Sequence, residues 1–163
     1  MSTETEIRDR FWKELKSERT IMLGIDGEPG RGMQPMTALV EEEDGGGPLW
    51  IFTSKETDLA RALVGGGKPA HASFTGRKHD LFANVAGRLV IDNGRATIER
   101  LWNPWVAAWF DGGKDDPKLC LLRFDADHAK IWLNATPLGA AIEWLLRRDP
   151  KESYKDKVAE VAL

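Results

Sequence analysis

The chain has a single cysteine, Cys120, among its 163 residues. One thiol excludes an intrachain disulfide, and without a CxxC pair it gives no ground for zinc or thioredoxin-type chemistry. Set in the run Leu119-Cys120-Leu121-Leu122, it reads as a small buried hydrophobe. Long apolar runs are also missing. Nothing approaches the roughly 20 residues of a membrane helix, and the opening Met1 to Arg10 is charged where a secretory leader would be apolar. A cytoplasmic protein with no membrane association is expected. Positive charge is not in excess either: 23 Lys and Arg stand against 26 Asp and Glu, a net charge of -3, so no nucleic acid partner is expected. The three histidines, His71, His79 and His128, lack metal-ligand spacing, and no metal site is read. No GxSxG elbow marks a nucleophilic serine. No catalytic residue is identified.

What the chain does have is tryptophan, seven in all. Trp102, Trp105 and Trp109 lie three or four apart, a spacing that fits either core packing on a helix or a ligand-facing box. The elements around them follow from local signals. Thr3 and Glu6 have capping-box spacing, and Ile7, Phe11, Trp12 and Leu15 share a helical face. Strands are predicted over Thr20–Ile25 and Gln34–Glu42, joined in a hairpin by the turn-rich Asp26–Gly32. That loop lacks the GK[ST] ending of a phosphate cradle. A third strand covers Leu49–Thr53, and a short helix capped by Ser54 or Thr57 ends at Gly65–Gly67.

Further strands are predicted over Pro69–Thr75 and Leu81–Ile91, with Gly87 a candidate bulge. A helix runs from Arg95 to Trp102, and Asn103-Pro104 caps and restarts it through Phe110. Leu119–Asp125 and Ala129–Asn134 read as a last hairpin around Ala126–His128, followed by a helix from Thr136-Pro137 and a tail from Asp149 prone to fray. Seven hairpin-connected strands favour one α+β, predominantly β domain over 1–163: an antiparallel barrel with peripheral helices. At Thr53-Ser54-Lys55-Glu56-Thr57, hydroxyls and amides at a helix start suit either simple capping or an anion.

In order along the chain stand Gln34-Pro35-Met36, Leu49-Trp50-Ile51-Phe52-Thr53-Ser54, Asn84-Val85-Ala86-Gly87, Leu101-Trp102-Asn103-Pro104, Trp109-Phe110 and Asp116-Pro117. With these motifs the chain, from about Ile7 to Trp132, resembles the general stress protein 26 branch of the pyridoxamine 5′-phosphate oxidase-like superfamily. The resemblance implies the FMN-binding split barrel, a homodimer, and a flavin, FMN or FAD, in each of two clefts between subunits. It places Gln34, Pro35, Met36 and Thr37, with Phe52, Thr53, Ser54 and Lys55, along the flavin. Thr57 would lie toward its phosphate, and Trp109 and Lys114 on the partner-facing segment. It also implies flavin-dependent oxidoreduction, or alternatively storage or sensing of a flavin or another flat ligand. No Arg and His cluster matches the substrate-phosphate site of a true pyridoxamine phosphate oxidase. Gln34 stands where the family commonly has Arg, and Leu59 where it often has Lys. Lys55, Arg31 and Arg61 are the nearest substitutes for those two cations.

Overall fold

The computed structural model describes residues 3–28, 30–42, 45–134 and 158–163. The first helix, α1 (Glu4–Glu18), opens with the expected capping box: Thr3 accepts from the Glu6 amide, and the Glu6 carboxylate accepts from the Thr3 amide. Its apolar face buries Ile7, Phe11, Trp12 and Leu15.

Eight strands form one sheet. β1 (Thr20–Ile25) pairs with β2 (Gln34–Thr37), the expected hairpin. The strand predicted over Gln34–Glu42 is instead two: β2 stops at Thr37, and β3 (Leu39–Val40) pairs with β4 (Leu49–Ser54). Only Ala38 separates them. It is fully buried, and its amide donates to the Arg19 carbonyl at 2.7 Å. After the short helix α2 (Asp58–Ala62) come β5 (Lys68–Thr75) and β6 (Leu81–Ile91), an antiparallel pair.

Two further short helices follow, α3 (Arg95–Leu101) and α4 (Pro104–Ala107), then a 3-10 turn at Gly113–Asp115 and β7 (Leu119–Leu133). The helix expected through Phe110 ends at Ala107, because Asp111, Gly112 and Gly113 pull the chain into turns before another helical turn forms.

β7 corrects the expected last hairpin. It runs unbroken for 15 residues, held through Ala126-Asp127-His128 by continued pairing with β6 on one side. The irregularity is a bulge. Gly87 opposes Ala126 and Ala86 opposes His128, so Asp127 is the extra residue, on β7 and across from the glycine. β8 (Val158–Ala162) pairs with the second half of β7 and buries Ala159 and Val161, so the last part of the predicted frayed tail is a strand. The helix expected from Thr136 lies outside the described residues.

The strand order is β2-β1-β5-β6-β7-β4-β3, all antiparallel, with β8 on β7. The two ends of this path, β2 and β3, are consecutive in the chain, so the sheet curls until it is nearly closed into a barrel. Its interior holds one core that includes Leu23, Ile51, Leu89, Leu122, Phe124 and the α1 aromatics, where Phe11 meets Phe74 edge-on at 6.0 Å. A second core lies outside the barrel, where Trp50, Leu119 and Leu121 meet Ile98, Val106 and Phe110 from the α3–α4 segment. β4 and β7 are thus apolar on both faces, which explains the continuous runs Leu49–Phe52 and Leu119–Leu122.

Gly87 is required by close approach: a Cβ there would overlap the Asp125 carbonyl oxygen and stand 3.0 Å from Ala126 Cα, both rigid backbone. Replacing Gly87 with Ala is expected to lower stability by about 1–3 kcal/mol, read as a lower urea midpoint at unchanged slope.

Candidate functional site

The barrel is open along one line. Among the described residues β2 has a ladder partner only in β1, and β3 reaches only Leu49 and Trp50 of β4. Beyond Trp50, the flank of β4 away from β7 carries no ladder among the described residues, although β2 and β4 approach within 8 Å between Cα atoms. Gln34–Thr37 and Ile51–Ser54 therefore border a slot in which backbone donors and acceptors lack sheet partners. Such groups need water or a ligand. Pro35, which has no N–H, is tolerated because this is an edge. Gln34 and Met36 are half-buried, with Met36 packed on the barrel core, whereas Pro35 and Thr37 face outward.

The slot ends at the turn between β4 and α2. Thr53 is buried at 8% exposure, and its hydroxyl lies 3.5 Å from that of Thr57. Thr57 caps α2: its Oγ1 accepts from the Ala60 amide at 3.2 Å and donates to the Ser54 carbonyl at 2.9 Å. Ser54 Oγ accepts from the Glu56 amide. The Thr57 hydroxyl thus caps α2, and the Ser54 hydroxyl holds the turn before the helix. Two cations reach this turn from other segments: Arg31, whose guanidinium donates to the Asp58 carbonyl at 3.1 Å from the β1–β2 loop, and Lys118, which pairs with Glu56 at 3.7 Å. Glu28 lies 3.5 Å from the Arg31 side chain, and hydrogen bonding and charge from Lys68, then Arg31, hold its carboxyl below the usual carboxylate range.

Of the three cations named as substitutes, Arg31 reaches α2 from another segment, whereas Arg61 lies on α2 itself. Arg61 makes no ion pair among the described residues. Lys55 lines a separate cavity of about 380 Å³ beneath α2, which sequence reasoning did not find. Cys120 forms part of that wall, and burial pushes its thiol pKa up, with the Lys55 charge opposing. Leu59 is 4% exposed and belongs to the barrel core, so no charge occupies that position.

Phe52 projects to the other face of β4, where it meets Trp102 edge-on at 6.0 Å, and Trp102 in turn contacts Phe110 at 6.5 Å. Asn103 fixes α4 by accepting from the amides of Trp105 and Val106 at 2.9 and 3.1 Å. Val106 and Phe110 then turn inward, leaving Trp105 79% and Trp109 83% exposed. The core-packing reading of the three-Trp spacing therefore holds for Trp102 and fails for the other two. Lys114 lies on the turn after α4, and its carbonyl accepts from Arg95. That turn is clamped by Asp116, whose carboxyl is held below its usual range by the amides of Lys118 and Gly112. Among the described residues, no hydrogen bond or ring contact joins Trp109 or Lys114 to β2. No group of three metal-ligating side chains occurs among the described residues, and no described helix is long and apolar enough to cross a membrane.

The family model described as "Pyridoxamine 5′-phosphate oxidase like" matches residues 6–153. The chain belongs to this family. Within it, the similar solved structures place the chain in the general stress branch. One is a protein ascribed to the general stress family in Xanthomonas campestris pv. campestris, 53% identical, with a TM-score of 0.77 over 83% of this chain and 92% of that one. Another is the general stress FMN/FAD binding protein of Xanthomonas citri, 52% identical, with a TM-score of 0.76 over 81% and 92%. General stress protein 26 of Bacillus subtilis (strain 168) is 33% identical over 52 residues, which is 32% of this chain and 36% of that relative. The match thus spans about a third of the curated relative's length.

In this pyridoxamine 5′-phosphate oxidase-like chain the turn at Ser54–Thr57 is held by its own hydroxyls. Replacing Thr57 with Ala is expected to cost about 0.5–2 kcal/mol, measured by thermal or urea unfolding, because the Ala60 amide loses its cap.

Proposed function

We propose that this chain binds a flavin, FMN or FAD, in the slot between β2 and β4, as a cytoplasmic homodimer that encloses two such clefts. The observation that carries the reading is the pair of facing strand edges, Gln34–Thr37 and Ile51–Ser54, closed at one end by a turn to which Arg31 is tied. An isoalloxazine ring is flat and apolar on its faces but rich in donors and acceptors on its rim, which matches unpaired strand backbone. The Xanthomonas citri relative, a general stress FMN/FAD binding protein, supports the same reading.

Each residue then has a distinct task. The backbone of β2 and β4 orients the ring, and Met36 and Thr53 border it from the barrel side. Thr57 and the Ser54–Lys55 turn set the backbone at the phosphate end, where Arg31 supplies the charge that Gln34 and Leu59 do not. Trp109 and Lys114, exposed to a second subunit, complete the cleft from the partner. When bound, the flavin supplies hydride or electron transfer, and the protein holds and shields it. A second reading, a noncatalytic flavin carrier, is favoured by the burial of Leu59 in the core, which leaves the phosphate end with fewer charges. Reduction of the bound flavin by NAD(P)H with turnover to an acceptor supports the oxidoreductase; stable binding without turnover supports the carrier.

Titration with FMN and FAD, followed by the visible absorption band, is expected to saturate at one flavin per chain. A protein that leaves both spectra unchanged overturns the proposal. Arg31→Gln is expected to weaken binding about 10- to 100-fold, the loss of one charge-assisted contact, whereas Gln34→Arg should tighten it. Light scattering is expected to give twice the single-chain mass, with Trp109→Glu shifting the population down toward the single chain of 18.2 kDa.

A further inference from the structure

The cavity under α2 shares no residue with β2 and has a chemistry of its own. Its depth is aliphatic: Ala60, Leu63 and Cys120 are 2% exposed or less, and Val90 and Ile91 at the end of β6 complete the wall. Its rim is different. Val64 stands 77% exposed beside Gly66 and Gly67, an aliphatic side chain held in water at the mouth. The volume of about 380 Å³ lies within the ~300–1,000 Å³ range of small-molecule sites, which are mostly apolar with a few fixed polar groups.

The polar groups at the rim are donors. Lys55 makes no ion pair among the described residues. The carboxylates nearest in sequence are engaged elsewhere, Glu56 with Lys118 and Asp92 with Arg123. Asn93 accepts from the Leu121 amide through Oδ1 at 2.7 Å, which fixes the side-chain orientation and leaves Nδ2 as a donor. One cation and one amide donor therefore stand above an aliphatic pocket that presents no free carboxylate.

We propose that this cavity is a second ligand site, for a small monocarboxylate with an aliphatic tail. The carboxylate meets Lys55 and Asn93, and the tail lies against Leu63, Val64, Val90 and Ile91. The site adjoins the proposed flavin slot at the Ser54–Lys55 turn but uses the Lys55 side chain where the slot uses the turn's backbone, and its occupant is selected by charge at the mouth and by apolar length inside.

The test is calorimetric titration of the full chain with octanoate, alongside octan-1-ol and octylammonium. Saturable 1:1 binding of octanoate, at least tenfold tighter than either control, is expected. Val64→Glu, at an exposed position that leaves the fold intact, should weaken octanoate at least tenfold by like-charge repulsion and leave flavin affinity unchanged. Lys55→Gln should weaken octanoate by a similar factor, with recovery in Lys55→Arg. Absence of saturable heat, equal binding of octylammonium, or indifference to both variants overturns the proposal. Displacement of octanoate by FMN also overturns it, since the cavity then belongs to the flavin site; flavin titration of Val64→Glu reports on the flavin proposal separately.

Discussion

One buried residue, Ala38, sets the shape of the molecule. The chain on its two sides pairs with strands at opposite ends of the sheet, β2 with β1 and β3 with β4. A single residue cannot span a gap, so those ends must meet. They meet imperfectly: β3 covers only the first two residues of β4, and the rest of that flank faces the flank of β2 that β1 does not pair. The slot is therefore a geometric remainder of barrel closure. Its polar lining is backbone, which explains why no cluster of catalytic side chains announces it.

The second determinant is that β4 serves two cores. Leu49 and Ile51 point into the barrel, and Trp50 and Phe52 point to the α3–α4 segment. A strand buried on both faces has little freedom to slide, since a one-residue slip would exchange the two sets. The site border at Phe52–Ser54 is thereby held rigidly. The same packing turns Val106 and Phe110 inward and drives Trp105 and Trp109 out, so the aromatic surface and the slot are opposite results of one arrangement.

Much of the architecture was legible in local sequence. The Thr3–Glu6 box, the Asn103-Pro104 cap and the strands over 20–25, 49–53 and 81–91 all follow from caps, turn residues and periodicity, with the middle strand one residue longer than expected. What was not legible depended on distant partners. Nothing local in Gln34–Glu42 shows a change of neighbour at Ala38, because the break is imposed by closure. The hairpin expected at Ala126–His128 came from reading a weak polar interruption as a reversal, when the bulge opposite Gly87 absorbs it. β8 carries an alternating Val158-Ala159-Glu160-Val161-Ala162 pattern, but it follows a charged stretch that outweighed it. For the candidate site, the family motifs pointed to β2 and β4, the two strands whose facing edges the proposed function uses. The reach of Arg31 to Asp58 was not, since a loop arginine gives no sign of where its guanidinium lands. The cavity beneath α2 was hidden for the same reason, being assembled from four segments.

β8 has a consequence for biosynthesis. Val161 and Ala159 sit opposite Ala129 and Ile131 of β7, so this part of the interior is sealed by residues made almost thirty positions after the strand they cover. At elongation rates of ~5–20 residues per second, a nascent barrel leaves an unpaired β7 edge open for seconds before its cover emerges from the ribosome.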